Sequence, residues 1–340
     1  MNTKKISFNI SKIFSIIKKL LLSKIEITEP KKANILVWGT PGFIDIFKEK
    51  NYRFMNYKKI NFLKVWGESY NLRVLIKCAL SLKFTFLDYT NEFIKITKPK
   101  VILSFLDNYK TFYLIKKNKN QKKIIIQNSM RSNEFDEFKK DKAFYKNKVD
   151  YVFAYNKNIK KSYNDLLHSK TFSVGSFLSN NLPIKKNKKI YDIVYISTFR
   201  DGDKNFIIND KITLGDYLNS EKKLIKNILK FSKEYKKKFY ILCTNKTQQR
   251  EKEIKFFNNV LGEKNWKQIK RKSDDYRFTY KVVDKAKIIM GIDTTVLYES
   301  LARGTKTIFC DIRPSNKFLD KTRYFGWPKK FKKHGPFWTS

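Results

Sequence analysis

The stretch KIIMGIDTTVLYESLARGTKTIFCD, Lys287 to Asp311, decides the fold. An apolar run stops at Asp293, and two threonines follow. A helix-patterned segment with one acid, Glu299, then leads through Arg303 and Gly304 into a second apolar run. The pattern predicts strand, helix and parallel strand, joined by one right-handed crossover. Gly304 is a natural helix terminator.

Thr294 or Thr295 is expected to cap the helix through its hydroxyl. The first-turn N–H groups and the helix dipole then make an end that binds phosphate. Thr295, Glu299 and Arg303 stand at i, i+4 and i+8, on one stripe. A capping box needs its acid three residues after the cap, and Glu299 falls four or five after it. Two readings of Glu299 stay open. One is an i,i+4 pair with Arg303 on a solvated face. The other is a carboxylate that accepts ribose hydroxyls one turn below a phosphate.

Outward from this stretch the same alternation recurs. NILVWG (34–39), KVILSFLD (100–107), KKIIIQNS (122–129), VDYVFAYN (149–156) and KTFSVGS (170–176) read as buried strands between helical segments. A polar, basic stretch with one proline follows, FLSNNLPIKKNKKI. The pattern then restarts with YDIVYISTF (191–199), KFYILCTN (238–245), AKIIMGID (286–293) and KTIFCD (306–311). The fold class expected is α/β: two Rossmann-like parallel-sheet domains facing a cleft. The expected division is an N-terminal segment 1–32, a first domain 33–180, a linker 181–189, a second domain 190–313 and a tail 314–340.

The 340 residues include 74 basic and 31 acidic ones, a formal charge of +43. Sixty-four of the basic residues are Lys and ten are Arg, in a chain with only 11 Gly and 7 Pro. Nucleic-acid readers favour the bidentate fork of Arg, and no zinc-finger spacing, RNA-recognition signature or basic heptad region is present. No nucleic-acid partner is expected. The scarce arginines, among them Arg131, Arg200, Arg303, Arg313 and Arg323, fall at predicted element ends and are candidates for positions that Lys could not fill. Cys78, Cys243 and Cys310 read as reduced core residues of a cytoplasmic protein. No apolar run approaches the roughly 20 residues that a membrane span needs. Residues 1–32 carry Ile10, Ile13, Phe14, Ile17 and Leu21 on one helical stripe among lysines. That is a basic amphipathic helix, packed on its own domain or lying on an anionic membrane surface at the inner face of the plasma membrane.

GIDTTVLYESLARGTKTIFCD resembles the donor-site segment of glycosyltransferases with the GT-B fold. SFLDNYKTFY, IIIQNSMR, FSVGSFLSNN, DIVYISTFR and RYFGWPKKFKKHGPFWT resemble, in order, the bacterial surface carbohydrate biosynthesis family. The resemblance implies a GT-B-like fold and a role in building surface glycans. The late motif is shared with CDP-glycerol transferases and UDP-N-acetylglucosamine 2-epimerases. Family members continue with a helix after GPFWT, where this chain stops at Ser340, so a helix bracing the two domains is expected to be missing.

Ligands of open α/β sheets bind beyond the carboxyl ends of the strands. On that rule the donor-binding candidates are Ser197, Thr198, Arg200, Lys246, Asp293, Thr294, Thr295 and Glu299. The acceptor or cleft candidates are Gly39, Thr40, Gln127, Asn128 and Arg131. Asp107 is the candidate catalytic base for an acceptor hydroxyl, against an Asx turn with Asn108. Asp201-Gly202-Asp203 could hold a divalent metal, but Asp-Gly is common turn chemistry, and no metal or other cofactor is expected. The activity expected is sugar transfer from a nucleotide-sugar donor to a glycan acceptor. A sugar-nucleotide 2-epimerase and a non-catalytic nucleotide-sugar-binding scaffold subunit are the alternatives.

Overall fold

A computed structural model describes residues 22–39, 44–64, 69–130, 138, 141–184, 188–209, 212–244, 247–270, 275–292, 294–310, 312, 334–335 and 338–339. The chain divides into two compact units. The first comprises residues 1–128 and 137–174, and the second 129–136 and 175–340.

The first unit is built on a parallel sheet of order β3-β2-β5-β6-β7-β8. Its strands are β2 (Ile35–Trp38), β3 (Ile60–Leu63), β5 (Val101–Ser104), β6 (Lys122–Ile126), β7 (Tyr151–Ala154) and β8 (Lys170–Ser173). Leu36, Val37, Ile102, Leu103, Ile125 and Val152 are buried, as expected of strands covered on both faces. Helix α1 (Leu72–Leu80) follows a short parallel pair, β1 (Lys24–Glu26) with β4 (Ser69–Asn71). Helix α2 (Phe86–Thr97) starts at a capping box in which Thr85 and Asp88 satisfy each other's backbone N–H groups. Trp38 is fully buried, bonded through Nε1 to Thr90 at 3.3 Å and tilted against Phe112, so it belongs to the core. Helices α3 (Lys110–Leu114), α4 (Lys142–Tyr145) and α5 (Lys157–Leu167) complete this unit.

The second unit begins with α6 (Phe177–Asn180) and holds a sheet of order β13-β12-β9-β14-β15-β17-β16. The strands are β9 (Tyr191–Ile196), β12 (Phe239–Leu242), β13 (Lys267–Ile269), β14 (Ala286–Gly291), β15 (Lys306–Cys310), β16 (His334–Gly335) and β17 (Trp338–Thr339), with only the β16–β17 pair antiparallel. A small antiparallel ribbon, β10 (Ile207–Asn209) with β11 (Ile212–Thr213), leads into α7 (Leu214–Glu234). Period-two alternation along β9 sorts its side chains onto two faces. Ile193 and Tyr195 pack with Leu224, Ile225 and Ile228 of α7 and Phe257 of α8 (Thr247–Leu261). Val194 and Ile196 pack with Val282 and Val283 of α9 (Arg277–Lys285) and Leu297 of α10 (Thr295–Ala302). The two parallel, helix-covered sheets meet the expected fold class. The strands read from sequence all form, and β3 and β13 add an edge to each sheet.

The polar stretch was expected to begin a linker at 181, with everything up to 180 in the first domain. The division instead falls between Val174 and Gly175, because the segment after it is bonded to α10 and to Arg303 just beyond that helix in the second unit.

Candidate functional site

In the second sheet the chain order runs outward in opposite directions from β9 and β14, which are hydrogen-bonded neighbours. That reversal is a topological switch point, where the connections leave on opposite faces and open a crevice at the carboxyl ends of the strands. The loop after β9 carries Ser197, Thr198 and Arg200. The turn after β14 carries Thr294 and Thr295, with Glu299 on the helix that follows. The topology therefore brings these donor candidates to one place. Lys246 and Asp293 lie outside the described residues.

The β9 loop turns the Ser197 hydroxyl and the Thr198 N–H into the fold. Glu221, on the inward face of α7 and 1% exposed, accepts the Tyr195 hydroxyl at 2.7 Å and the Thr198 backbone N–H at 3.0 Å. Ser197 is buried. Its Oγ accepts the Phe199 N–H at 3.1 Å and bonds to Glu253 of α8, which also takes the Thr244 N–H at 3.0 Å and the Thr244 hydroxyl at 2.9 Å. Burial raises the Glu253 carboxyl above the usual range. Two buried carboxylates thus brace the strand ends of β9 and β12 from beneath. The Ser197 hydroxyl and the Thr198 backbone N–H serve the loop's own structure, because both already have partners inside the fold. Arg200 differs: it is exposed, with its guanidinium 5.4 Å from the centre of the Tyr217 ring. Asp201 pairs with Lys252 at 2.6 Å, and Asp203 accepts the Asn205 N–H at 2.9 Å. The Asp-Gly-Asp stretch is a turn with both carboxylates engaged. Among the described residues no three His, Cys, Asp or Glu side chains converge as metal ligands would.

At the other strand end, Gly291 lets α10 pack close: a Cβ there would meet the Leu297 side chain at 3.2 Å. Thr294 occupies the N-cap position in extended conformation, yet no side chain caps the helix. The Thr295 hydroxyl is turned to the Met130 backbone N–H, which it accepts at 3.2 Å. The expected hydroxyl cap is therefore replaced by a tie to Met130 of the same unit.

One turn on, Glu299 is 6% exposed. The Ser176 hydroxyl donates to its Oε1 at 2.5 Å, and the Tyr280 hydroxyl is a further partner. Burial pushes this carboxyl up to about 7, against the hydrogen bonds and the nearby Arg303 charge, which pull it down. The solvated Glu299–Arg303 pair does not form. Arg303 is itself buried and forks onto Asp284 at 2.8 and 2.6 Å. Its other N–H groups donate to the carbonyls of Ser179, Leu182 and Pro183. The stripe Thr295–Glu299–Arg303 is real, but it faces protein. Gly304 ends the helix with φ +77°, as its sequence position suggested.

The first-unit candidates behave differently. Gly39 follows β2 with φ +73° and donates its N–H to Leu63 O at 2.9 Å. Asp107 is fully buried: its carboxylate accepts the Tyr163 hydroxyl, and its carbonyl accepts the Tyr113 hydroxyl at 2.5 Å. A general base must reach the proton it removes, and Asp107 is sealed within the core, so it is a structural acceptor here. Gln127 accepts the Tyr155 N–H at 2.9 Å, and the Asn128 carbonyl accepts the Tyr155 hydroxyl at 2.8 Å, so both tie the end of β6 to the segment after β7. Thr40 and Arg131 lie outside the described residues.

The sequence reading missed Glu221, Glu253, Ser176, Tyr280 and Asp284. For Glu221 a signal existed. An acid three and four residues before Leu224 and Ile225 sits on the apolar stripe of its helix.

The architecture is that of a protein with two Rossmann-like parallel-sheet domains, the second with a topological switch point between β9 and β14. The model of the O-antigen biosynthesis protein family matches residues 124–340, and the chain belongs to that family. No curated protein sequence matches it. Among solved structures, it is similar to the UDP-GlcNAc 2-epimerase of Methanocaldococcus jannaschii in complex with UDP-GlcNAc and UDP, at 15% identity and a TM-score of 0.48 over 82% of this chain and 83% of that one. It is also similar to HepE of Anabaena in complex with UDP and glucose, at 10% identity and a TM-score of 0.44 over 85% and 83% of the two chains. A third similar structure is the lipopolysaccharide outer core galactosyltransferase WaaB, at 13% identity and a TM-score of 0.41 over 83% and 82%.

Proposed function

We propose that this protein is a GT-B-like glycosyltransferase of surface polysaccharide synthesis, which binds a nucleotide-sugar donor at the switch point of its second unit. One observation carries the reading: Glu299 is a buried carboxyl whose partners are hydroxyls, set one turn below a helix N-terminus at that switch point. A ribose offers the same chemistry as Ser176 and Tyr280, so its hydroxyls are like-for-like partners for Glu299. The donor diphosphate then falls at the start of α10, where backbone N–H groups and the helix dipole favour negative charge. Arg200 supplies an exposed cation for the leaving diphosphate, and Lys246 is a second candidate. With Asp201 and Asp203 engaged in their turn, the reading assigns leaving-group charge to these groups. Asp107 is withdrawn as the acceptor's base. Membership of an O-antigen biosynthesis family supports a glycan acceptor.

The experiment is calorimetry of the full chain with nucleoside diphosphates, followed by donor turnover with and without a glycan acceptor. Glu299→Gln should weaken the preferred nucleotide by about 1–3 kcal/mol, the range for a charge-assisted hydrogen bond lost from a buried site. Unchanged affinity removes the ribose role. Donor conversion without acceptor would replace transfer by epimerisation, and tight binding without turnover would leave a scaffold.

A further inference from the structure

The described part of the first unit carries an apolar ridge that its core does not use. Helix α1 buries Val74 and Cys78 and turns Leu72, Ile76 and Leu80 outward, at 37%, 50% and 81% exposure. These three stand at i, i+4 and i+8, so they form one continuous stripe. The stripe continues past the helix end through Leu82 and Phe84, at 75% and 49% exposure. Arg73 and Lys77 flank it on one side, and Lys83 lies between Leu82 and Phe84. The stretch 72–84, LRVLIKCALSLKF, contains these three cations and no acid.

Leu82 makes the ridge harder to dismiss as chance exposure. It sits just past the helix in left-handed conformation, φ +51°, with Lys83 N–H returning to Cys78 O at 2.8 Å. Side chains with a Cβ are disfavoured there, and Gly or Asn fits best. The other non-glycine residues with positive φ among the described ones are Asn56, Lys98, Asn147, His168 and Lys236, all polar. Leu82 alone is apolar, and the backbone strain is spent holding it in water.

We infer that this ridge docks the first unit on an anionic lipid surface, its leucines, Ile76 and Phe84 entering the acyl boundary while Arg73, Lys77 and Lys83 meet the headgroups. Long basic side chains beside apolar ones suit that boundary, because their stems lie along the apolar surface while their charges stay in the headgroup layer. Arg73 and Lys83 rest in surface pairs with Glu29 at 2.6 Å and Glu92 at 3.2 Å, their side chains 58% and 42% exposed, so headgroup phosphates must exchange with these acids, and such surface pairs are weak. The chain's formal charge of +43 favours the same surface. Strand β1 pairs with β4 immediately before α1. The inference is independent of the transferase reading.

The test is co-sedimentation of the full chain with vesicles of mixed phosphatidylglycerol and phosphatidylcholine, against phosphatidylcholine alone, at low and high salt. The parent should bind the anionic vesicles and be partly released by salt. Ile76→Gln, Leu80→Gln and Leu82→Asn combined should lower vesicle partitioning by about tenfold or more, since three inserted side chains are lost. Phe206→Ser with Ile207→Thr, an exposed apolar pair in the second unit, should change nothing. Leu82→Asn alone suits the left-handed backbone, so it keeps the fold and should still weaken partitioning. Equal binding by parent and ridge variants overturns the inference, as does a parent that ignores anionic vesicles. Loss of a concentration-dependent dimer with unchanged vesicle binding would make the ridge a protein interface and overturn it equally.

Discussion

Ser176 donates its hydroxyl hydrogen to Glu299 at 2.5 Å, tying the segment just beyond the Val174–Gly175 division to the helix that follows β14. The bond fills one acceptor site of the buried carboxyl with a residue that the sequence had placed in the other domain. The first prediction concerns this carboxyl's titration. Its folded pKa is raised to about 7 from 4.5, chiefly by burial. Between those values the folded state holds a proton that the unfolded state has released. The associated stability is full below about pH 4.5 and is lost as pH rises to about 7, by at most about 3 kcal/mol. Glu299→Gln keeps the shape and should flatten this part of the stability–pH curve. Urea titrations at pH 5 and pH 8 measure it, and an unchanged slope would refute the assignment.

Lys123 has the opposite sign. It lies 2% exposed on β6, with Nζ donating to Tyr113 O at 3.0 Å and Ile115 O at 3.2 Å. Burial first, then the charges of Lys117 and Lys148, lower it from 10.5 to about 7. The unfolded state therefore binds the extra proton between these values. Stability should rise from about pH 7 toward pH 10, by up to about 5 kcal/mol if nothing else titrates. Lys123→Met should remove that rise. It should be more stable than the parent at pH 6 and less stable at pH 10, where two carbonyls have lost a donor.

Removing a carboxylate that braces the strand ends should be expensive. Glu221→Ala strands the Tyr195 hydroxyl and the Thr198 N–H in the interior, and should destabilise by about 2–4 kcal/mol. Glu221→Gln retains a carbonyl acceptor and should recover at least half of that. The chemical-denaturation midpoints of the two variants decide the point.

Arg303 cannot be replaced by its chemical neighbour. Arg303→Lys keeps the charge but loses the fork on Asp284 and most of the bonds to Ser179, Leu182 and Pro183. A broken buried pair should cost about 3–5 kcal/mol. Limited proteolysis should then cut within 175–184, since that segment has lost its clamp. A variant as protease-resistant as the parent would show that the clamp is dispensable.

Much of the frame was legible in the chain. Nine apolar runs announced nine strands, because a parallel strand buried on both faces needs a continuous run. β3 and β13 escaped notice, since INFL and KQI are short edge segments whose apolar run is broken by Asn61 and Gln268. The uneven use of Lys and Arg also helped: in a lysine-rich chain, Arg303 stood out as a position lysine could not fill, and its five-donor fork explains why.

The direction in which each polar side chain points was a different matter. The stripe Thr295–Glu299–Arg303 follows from helical periodicity alone, but whether it meets water or protein depends on what packs against it. Residues 175–184 cover it, and they come from more than a hundred positions earlier in the chain. Asp107, Ser197 and Thr198 were read as ligand groups because they follow strands. Tyr163, Glu221 and Glu253 claim them inside the fold, through contacts between residues that only tertiary packing brings within hydrogen-bond reach. Local sequence sets period, strand ends and helix ends, since these depend on near neighbours. Burial and partnership of a polar group depend on distant neighbours, and the folded structure alone supplies them.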